Sequence, residues 1–240
     1  MSLTVAEVVI VNQSLGAIGA NQITYAVQTS NEAVQANLHY AQTRDALLRS
    51  YLWNFATIRL PLVSTWVTAA VYAIGQYVWT NSLLYKCAIA HTSGTFATDL
   101  AAVKWTLVTE RPAFGRWSYM YSLPTDCIRL WSAHHYLGLS QLWTREGNYL
   151  YTSETVINIK YVKQVTVPTE FDSLFTEVLI LKLALKLLHP LAGTNTTQLK
   201  AGLLAELKEA NARARTVCAS EANDTGESSW NNARFTSGKI

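Results

Sequence analysis

The first apolar stripe of the chain has the period of an α-helix. Its members recur at 3-4-3 spacing, which places them on one helical face. Thr4 and Glu7 stand before the stripe at the spacing of a capping box, and Gly19 follows where such a helix would end. The stripe consists of Val8, Val11, Leu15 and Ile18. The pattern predicts an N-terminal helix that starts after Thr4.

A second helix is predicted from Thr29 and Glu32, which repeat the capping-box spacing. The expected buried face consists of Val34, Leu38, Ala41, Leu48 and Leu52. Asp45 falls on the same stripe. It is interpreted either as a buried carboxylate paired with Arg44 or Arg49, or as a residue at the edge of the face.

Two more helices are predicted near the C-terminus. The first follows Pro168 and is apolar on two sides, so it should be buried on both, in a bundle or between subunits. Pro190 and Gly193 are expected to end it. The last helix is predicted to start near residues 194–197. Its apolar face consists of Leu199, Leu203, Leu207, Ala210, Ala214 and Val217.

Residues 65–109 have a different pattern, in which short apolar-aromatic runs at 76–79 and 83–87 are separated by turn residues. This spacing predicts a small antiparallel β unit. Its aromatic residues are Trp66, Tyr72, Tyr77, Trp79, Tyr85 and Trp105. They could form a platform that stacks on sugar rings. Core packing is the favoured interpretation, because so small a module has little else to bury.

Strands are also predicted from Cys127 onward, with a hairpin turn at 146–148 and alternation of apolar and polar residues at 157–161. The expected fold class is therefore α+β: a mainly helical bundle with a β-hairpin and sheet domain, plus a small all-β inserted module. The expected domains are residues 1–64 and 110–219, which form one core, the insert 65–109, and an extended tail 220–240.

Composition narrows the class of protein. Half of the residues are hydrophobic and 15% are charged, which excludes a disordered chain and favours self-association. The net charge of +3 and the lack of Lys and Arg clusters along the sequence argue against a nucleic-acid-binding groove. No basic N-terminal segment precedes an apolar run, and the run from Val178 to Leu188 is too short to span a bilayer, so we expect a soluble protein.

No catalytic, metal or cofactor site is expected. The three cysteines, Cys87, Cys127 and Cys218, are far apart and form no CxxC pair, so buried free thiols are predicted. His134 and His135 are adjacent in a predicted strand and would point to opposite faces. No P-loop, nucleophile elbow or dinucleotide-binding motif occurs in the sequence.

Six segments outside the insert carry a family resemblance. They are Val11–Gly19 (VNQSLGAIG), Arg44–Ala56 (RDALLRSYLWNFA), Tyr121–Arg129 (YSLPTDCIR), Glu146-Gly147, Ile159–Val162 (IKYV) and Phe171–Phe175 (FDSLF). With these segments in this order, the chain resembles the phage head-to-tail adaptor family, also called podophage tail tubular protein A. The resemblance covers nearly all of residues 1–64 and 110–217.

The resemblance implies a structural protein of the virion, located at the head-to-tail junction and assembled in the host cytoplasm. Copies would form a ring, expected to be a dodecamer, on the portal protein. A tail nozzle or tail tube protein would bind below, and genomic DNA would pass through the lumen without sequence-specific binding. The C-terminal tail would dock on the portal through Trp230, Arg234, Phe235 and Ile240.

The insert is similar to the chitin-binding type of carbohydrate-binding module. The similarity rests on Trp66, Tyr72, Gly75, Val78, Tyr85 and Trp105. Where that family usually has a sugar-stacking tryptophan pair, this chain has Ala88-Ile89-Ala90-His91. The insert is therefore expected to be a peripheral decoration. The alternative is a glycan-binding virion protein that acts through the insert.

Overall fold

The computed structural model describes residues 3–25, 28–63, 65–80, 83–108, 116–135, 142–154, 156–192 and 196–221. These residues have a mixed α+β fold with several small antiparallel sheets. They divide into two compact units. One is Ala56–Gln164, and the other combines the described residues before and after it. The two units are called the β unit and the helical unit below.

The helices are α1 Val5–Ala17, α2 Asn31–Ser50, α3 Phe96–Ala101, α4 Ser173–Ala192 and α5 Thr197–Glu221. The strands are β1 Thr57–Val63, β2 Val71–Tyr72, β3 Tyr77–Thr80, β4 Leu83–Cys87, β5 His91–Thr92, β6 Trp105–Leu107, β7 Tyr119–Ser122, β8 Cys127–His135, β9 Trp143–Glu146, β10 Tyr149–Thr152 and β11 Val156–Lys163.

Both predicted ends of α1 are confirmed. The Glu7 amide donates to Thr4 Oγ1 at 3.3 Å, and the Thr4 amide donates to Glu7 Oε2 at 2.7 Å, which completes the capping box. At the other end Gly19 has a φ of +70°, and the Ala20 amide donates to Leu15 O at 3.0 Å. This is the Schellman arrangement, which glycine allows without strain. The predicted stripe of α1 is buried throughout.

The predicted face of α2 is wrong at its start, because Val34 and Leu38 are exposed. The buried face begins one residue earlier, at Ala33, which rotates it by about 100° around the helix axis. The cap also differs: Ser30, not Thr29, accepts a hydrogen bond from the Ala33 amide at 3.3 Å. The buried residues of α2 are Ala33, Ala36, Tyr40, Thr43, Arg44, Leu47 and Leu48.

Helix α4 contacts α1, α2 and α5. As predicted, it is apolar and buried on more than one side. The predicted end is confirmed to within two residues, because the helix ends at Ala192, although Pro190 lies inside its last turn and does not itself end it. A proline in the last turn removes only one hydrogen bond, and this one lies on the exposed side. The buried residues of α4 are Phe175, Val178, Leu179, Leu181, Leu183, Ala184, Leu187 and Leu188.

The described residues of the β unit form four small antiparallel sheets. Two of them, in the orders β1-β11-β8 and β7-β10-β9, lie outside the predicted insert. The predicted hairpin is confirmed, because Glu146 pairs with Tyr149 across a two-residue turn in which Gly147 has a φ of +59°. The alternation along β11 is also confirmed: Ile157, Ile159 and Tyr161 are buried.

The predicted insert forms the other two sheets, β2-β5 and β3-β4-β6, together with the short helix α3. Both predicted strand runs are confirmed, as β3 and β4. Helix α3 was not predicted. It is capped by Thr95, whose Oγ1 accepts from the Thr98 amide at 3.4 Å.

Candidate functional site

The first candidate surface lies on α1 and α2. Val5 is 87% exposed and Val9 56% on α1, while Val34 is 54% and Leu38 56% exposed on α2. Each pair has i,i+4 spacing, so its members are neighbours on the helix surface. Single exposed apolar residues are ordinary, but adjacent pairs on two successive helices are typical of an interaction surface. We refer to these two exposed pairs, one on each helix, as the open valine-leucine face.

A buried ion pair joins the same two helices. Arg44 Nη1 lies 3.6 Å from Glu7 Oε1, and both side chains are buried. Arg44 Nε also donates to Asp45 Oδ1 at 2.8 Å. Asp45 is half-buried, so it is both paired with Arg44 and at the edge of the helix face. Burial, and secondarily the charge of Glu7, raise the pKa of the neighbouring Tyr40.

The segment after α2 holds the C-terminal end of α5. Asn54 Nδ2 donates to Cys218 O at 2.8 Å and to Glu221 Oε2 at 3.3 Å. The Asn54 amide lies 3.3 Å from Cys218 Sγ. Trp53 is buried beside it and donates from Nε1 to Leu47 O at 3.0 Å. The tail therefore leaves from a fixed point, although Trp230, Arg234, Phe235 and Ile240 lie outside the described residues.

The six insert aromatics divide between two clusters. Tyr72, Tyr85 and Trp105 are buried around the half-buried Phe96 and Trp66. The Tyr72 and Trp105 rings are 5.0 Å apart edge to face, and those of Tyr85 and Phe96 are 4.9 Å apart. These contacts leave the three buried rings no open face on which a sugar could stack.

Tyr77 and Trp79 belong to the other cluster. They alternate with the buried Val78 along β3, so they project from the opposite face. Both are half-buried near Leu84, and the Tyr77 ring lies 6.3 Å from that of Tyr149. The six residues therefore do not form one continuous platform.

A polar network missed by the sequence analysis lies inside the insert. Asp99 is buried and accepts from the Gly94 amide and from Lys104 Nζ, both at 2.9 Å. The hydrogen bond from Lys104 holds the pKa of Asp99 below its usual range. His91 Nε2 lies 3.5 Å from Asp99 Oδ2. No short sequence motif predicts this network, because it is the loop between β5 and α3 that brings its members together.

Cys87 extends the network, with Sγ 3.9 Å from His91 Nδ1. The spatial order of Cys87, His91 and Asp99 could suggest that Cys87 is a catalytic nucleophile. However, the thiol is fully buried, donates to Ile89 O at 3.1 Å, and has its pKa raised by burial. A nucleophilic cysteine needs a lowered pKa and access to substrate. This set is therefore a structural network of the insert.

A cleft of about 370 Å³ lies elsewhere in the β unit. Its lining includes Gly75, Ser122, Tyr149, and the pair in which Tyr161 Oη donates to Asp126 Oδ1 at 3.3 Å. Its volume is at the lower end of the range for small-ligand sites. Acceptor oxygens beside an aromatic ring would suit a ligand that carries hydroxyl groups.

Metal ligands, disulfides and membrane-spanning helices were also considered for the part of the chain that the structure describes. No group of three or more histidine, cysteine, aspartate or glutamate side chains could hold a metal ion there. The three cysteines are buried, and none of them is in a disulfide. None of the described helices combines the length and the apolar character needed to cross a membrane.

Comparison with protein-family models gives no match for this chain, and no curated protein is significantly similar to it.

Proposed function

We propose that this protein is a structural head-to-tail connector of a tailed phage. In this proposal the helical unit is a bundle centred on α4, and copies of it pack side by side into a ring. The portal protein lies above the ring, a tail nozzle or tail tube protein lies below, and genomic DNA passes through the lumen. The insert decorates the periphery. The protein would act at the head-to-tail junction of the virion and would not be an enzyme.

The open valine-leucine face is the observation that carries the proposal. Fully burying a valine or leucine side chain is worth about 1.5–3 kcal/mol, so four such residues per copy supply a useful part of an interface. A ring needs heterologous contacts, in which each copy offers one surface to one neighbour and another surface to the next. Exposed Leu199, Leu204 and Val217 on α5 are candidates for that second surface.

The fixed end of α5 supports the tethering role of the tail. Asn54 holds Cys218 and Glu221, so the tail begins at the same place in every copy. In a ring, such tails would be presented with the symmetry of the portal. Binding several tails at once would then add avidity without requiring a strong single contact.

The ring contact is tested by charge insertion. Val9→Glu and Leu38→Glu place a carboxylate in the proposed interface, whereas Ala46→Glu adds the same charge to the exposed surface of α2 two turns beyond Leu38. Sedimentation velocity should show an assembly for the wild type and Ala46→Glu, and monomers for the other two variants. Equal assembly of all four proteins, or monomers throughout in the presence of portal particles, would count against the proposal.

Glycan binding is the second candidate function, and the cleft beside Asp126 favours it most. Trp66, Tyr77 and Trp79 are half-buried and keep some ring surface for stacking. A glycan array probed with the full chain, with Asp126→Asn and Trp66→Ala as variants, tests it. Binding that is lost in either variant would support this function, and no binding of the wild type would remove it.

A further inference from the structure

The charged residues in the strands of the β1-β11-β8 sheet are all positive, and three of them lie on one face. The strand sequences TIRLPLV, CIRLWSAHH and VINIKYVK contain four Lys or Arg residues and no Asp or Glu. These cations are scattered along the sequence, so no cluster is visible there. Strand pairing brings residues about a hundred positions apart to neighbouring sites.

Arg59 and Lys160 are the centre of this basic sheet face. They are directly opposite in the antiparallel register of β1 and β11, so both project to the same side of the sheet. That side is opposite to the buried Ile159, and Arg59 is exposed on it. Neither cation forms an ion pair within the described ranges. Like charges placed opposite each other destabilise a sheet.

Arg129 and Trp131 extend the face on β8. Arg129 is opposite Val162, two residues along β11 from Lys160, and therefore lies on the same side of the sheet. Its guanidinium carbon is 4.6 Å from the centre of the Trp131 ring, which is 41% exposed. The pair thus presents an aromatic surface bordered by a cation. Ser132, opposite Lys160, adds a hydroxyl group to the same side.

We propose that this basic sheet face binds the phosphate backbone of duplex DNA. Duplex DNA carries about one negative charge per 1.7 Å of axis, so the neighbouring cations Arg59 and Lys160 can contact two phosphates at once. Such an anion removes the repulsion between Arg59 and Lys160, and a hydroxyl group suits further phosphate contacts. This proposal rests on the connector function, which makes DNA a partner of the protein. It assigns the surface of the protein that contacts the DNA.

The strands give the contact no means of reading sequence. Contacts of Arg59 and Lys160 with phosphates carry no sequence information, so the contact is electrostatic and depends on salt. Weak, sequence-independent contact of this kind permits DNA to slide. It therefore fits DNA that has to move past the protein.

The test is fluorescence anisotropy with a labelled duplex of about 20 base pairs, titrated at several salt concentrations. Arg59→Gln/Lys160→Gln is compared with Lys200→Gln/Lys208→Gln, which removes the same charge from exposed positions of α5. At about 50 mM salt the first double variant should bind about tenfold more weakly, and its log–log salt slope should be smaller by about 2. The α5 double variant should bind like the wild type.

Stability provides a second readout. Because the first double variant removes a repulsion, its melting temperature should equal or exceed that of the wild type, and Arg59→Lys should retain DNA binding. The inference is overturned if the wild type does not bind DNA, if both double variants lose binding equally, or if anionic lipid vesicles or polyglutamate bind this face better than DNA. Localised DNA binding by a protein that forms no ring would preserve this inference and refute the connector proposal.

Discussion

Arg44 of α2 and Glu7 of α1 form a buried ion pair that fixes the first two helices against each other. The same Glu7 carboxylate accepts the Thr4 amide and so completes the capping box of α1. One side chain thus links the start of a helix, which is a local feature, to a tertiary contact. Buried charges of this kind are costly to leave without a partner.

Substitution of Arg44 should therefore strongly destabilise the folded protein. Arg44→Ala leaves the Glu7 charge buried without its partner, and we expect it to lower the free energy of unfolding by about 3–5 kcal/mol. Gln42→Ala, at an exposed position on the same helix, should change it by less than about 0.5 kcal/mol. Urea unfolding followed by circular dichroism measures both. Equal midpoints for the two variants would show that the ion pair does not join the helices.

Acid should weaken the insert through Asp99. The pKa of its carboxyl group is held below the usual aspartate value of about 3.9, chiefly by Lys104. A lowered folded-state pKa contributes stability that is fully present above the unfolded value and is lost as the pH falls through the folded value. The difference in melting temperature between wild type and Asp99→Asn should thus be full at pH 5, begin to shrink near pH 4 and go on shrinking as the pH falls further. A constant difference from pH 5 to 3 would contradict this assignment.

The thiols should be unreactive in the native protein. Cys87, Cys127 and Cys218 are buried, and burial raises the pKa of Cys87 and of Cys218. Thiolate is the reactive form, so labelling with a disulfide reagent at about pH 8 should be slow until denaturant is added. All three should then react. Rapid stoichiometric labelling of the native protein would show that one of these sites is open.

Local sequence signals predict helix ends and turns correctly, but they do not predict which surfaces are buried or which distant residues become neighbours. The Thr4 cap, the Gly19 ending and the Gly147 turn depend on neighbouring residues, so their motifs were sufficient. The buried face of α2 was misjudged because Val34 and Ala33 begin alternative stripes, and only the packing against other helices decides between them. No periodicity could have placed Arg59 beside Lys160, since their proximity depends on the pairing of distant strands.

The arrangement of the candidate-site residues likewise depends on the tertiary structure and is not visible in the sequence. The six insert aromatics were identified from composition, yet their division into two clusters follows from the alternation of β3. The network around Asp99 depends on the loop that returns to α3 and had no sequence signature. The other members lie 5 to 12 positions from Asp99 in the sequence and share no known spacing for a site.

The tail should be needed for portal attachment but not for folding. A chain ending at Glu221 retains the contacts of Asn54 with the end of α5, so its melting temperature should match that of the full chain. It should no longer co-sediment with portal particles. Replacing Trp230 and Phe235 with alanine in the full-length chain is the milder variant and should reduce co-sedimentation in the same direction. A truncated protein that still co-sediments would exclude the tail as the tether.

The connector proposal is tested most directly by imaging the purified protein together with phage portal particles in the electron microscope. The proposal predicts a closed ring of this protein stacked coaxially on the portal, with an open central channel. Portal particles without added density, and a protein that stays monomeric beside them, would contradict it.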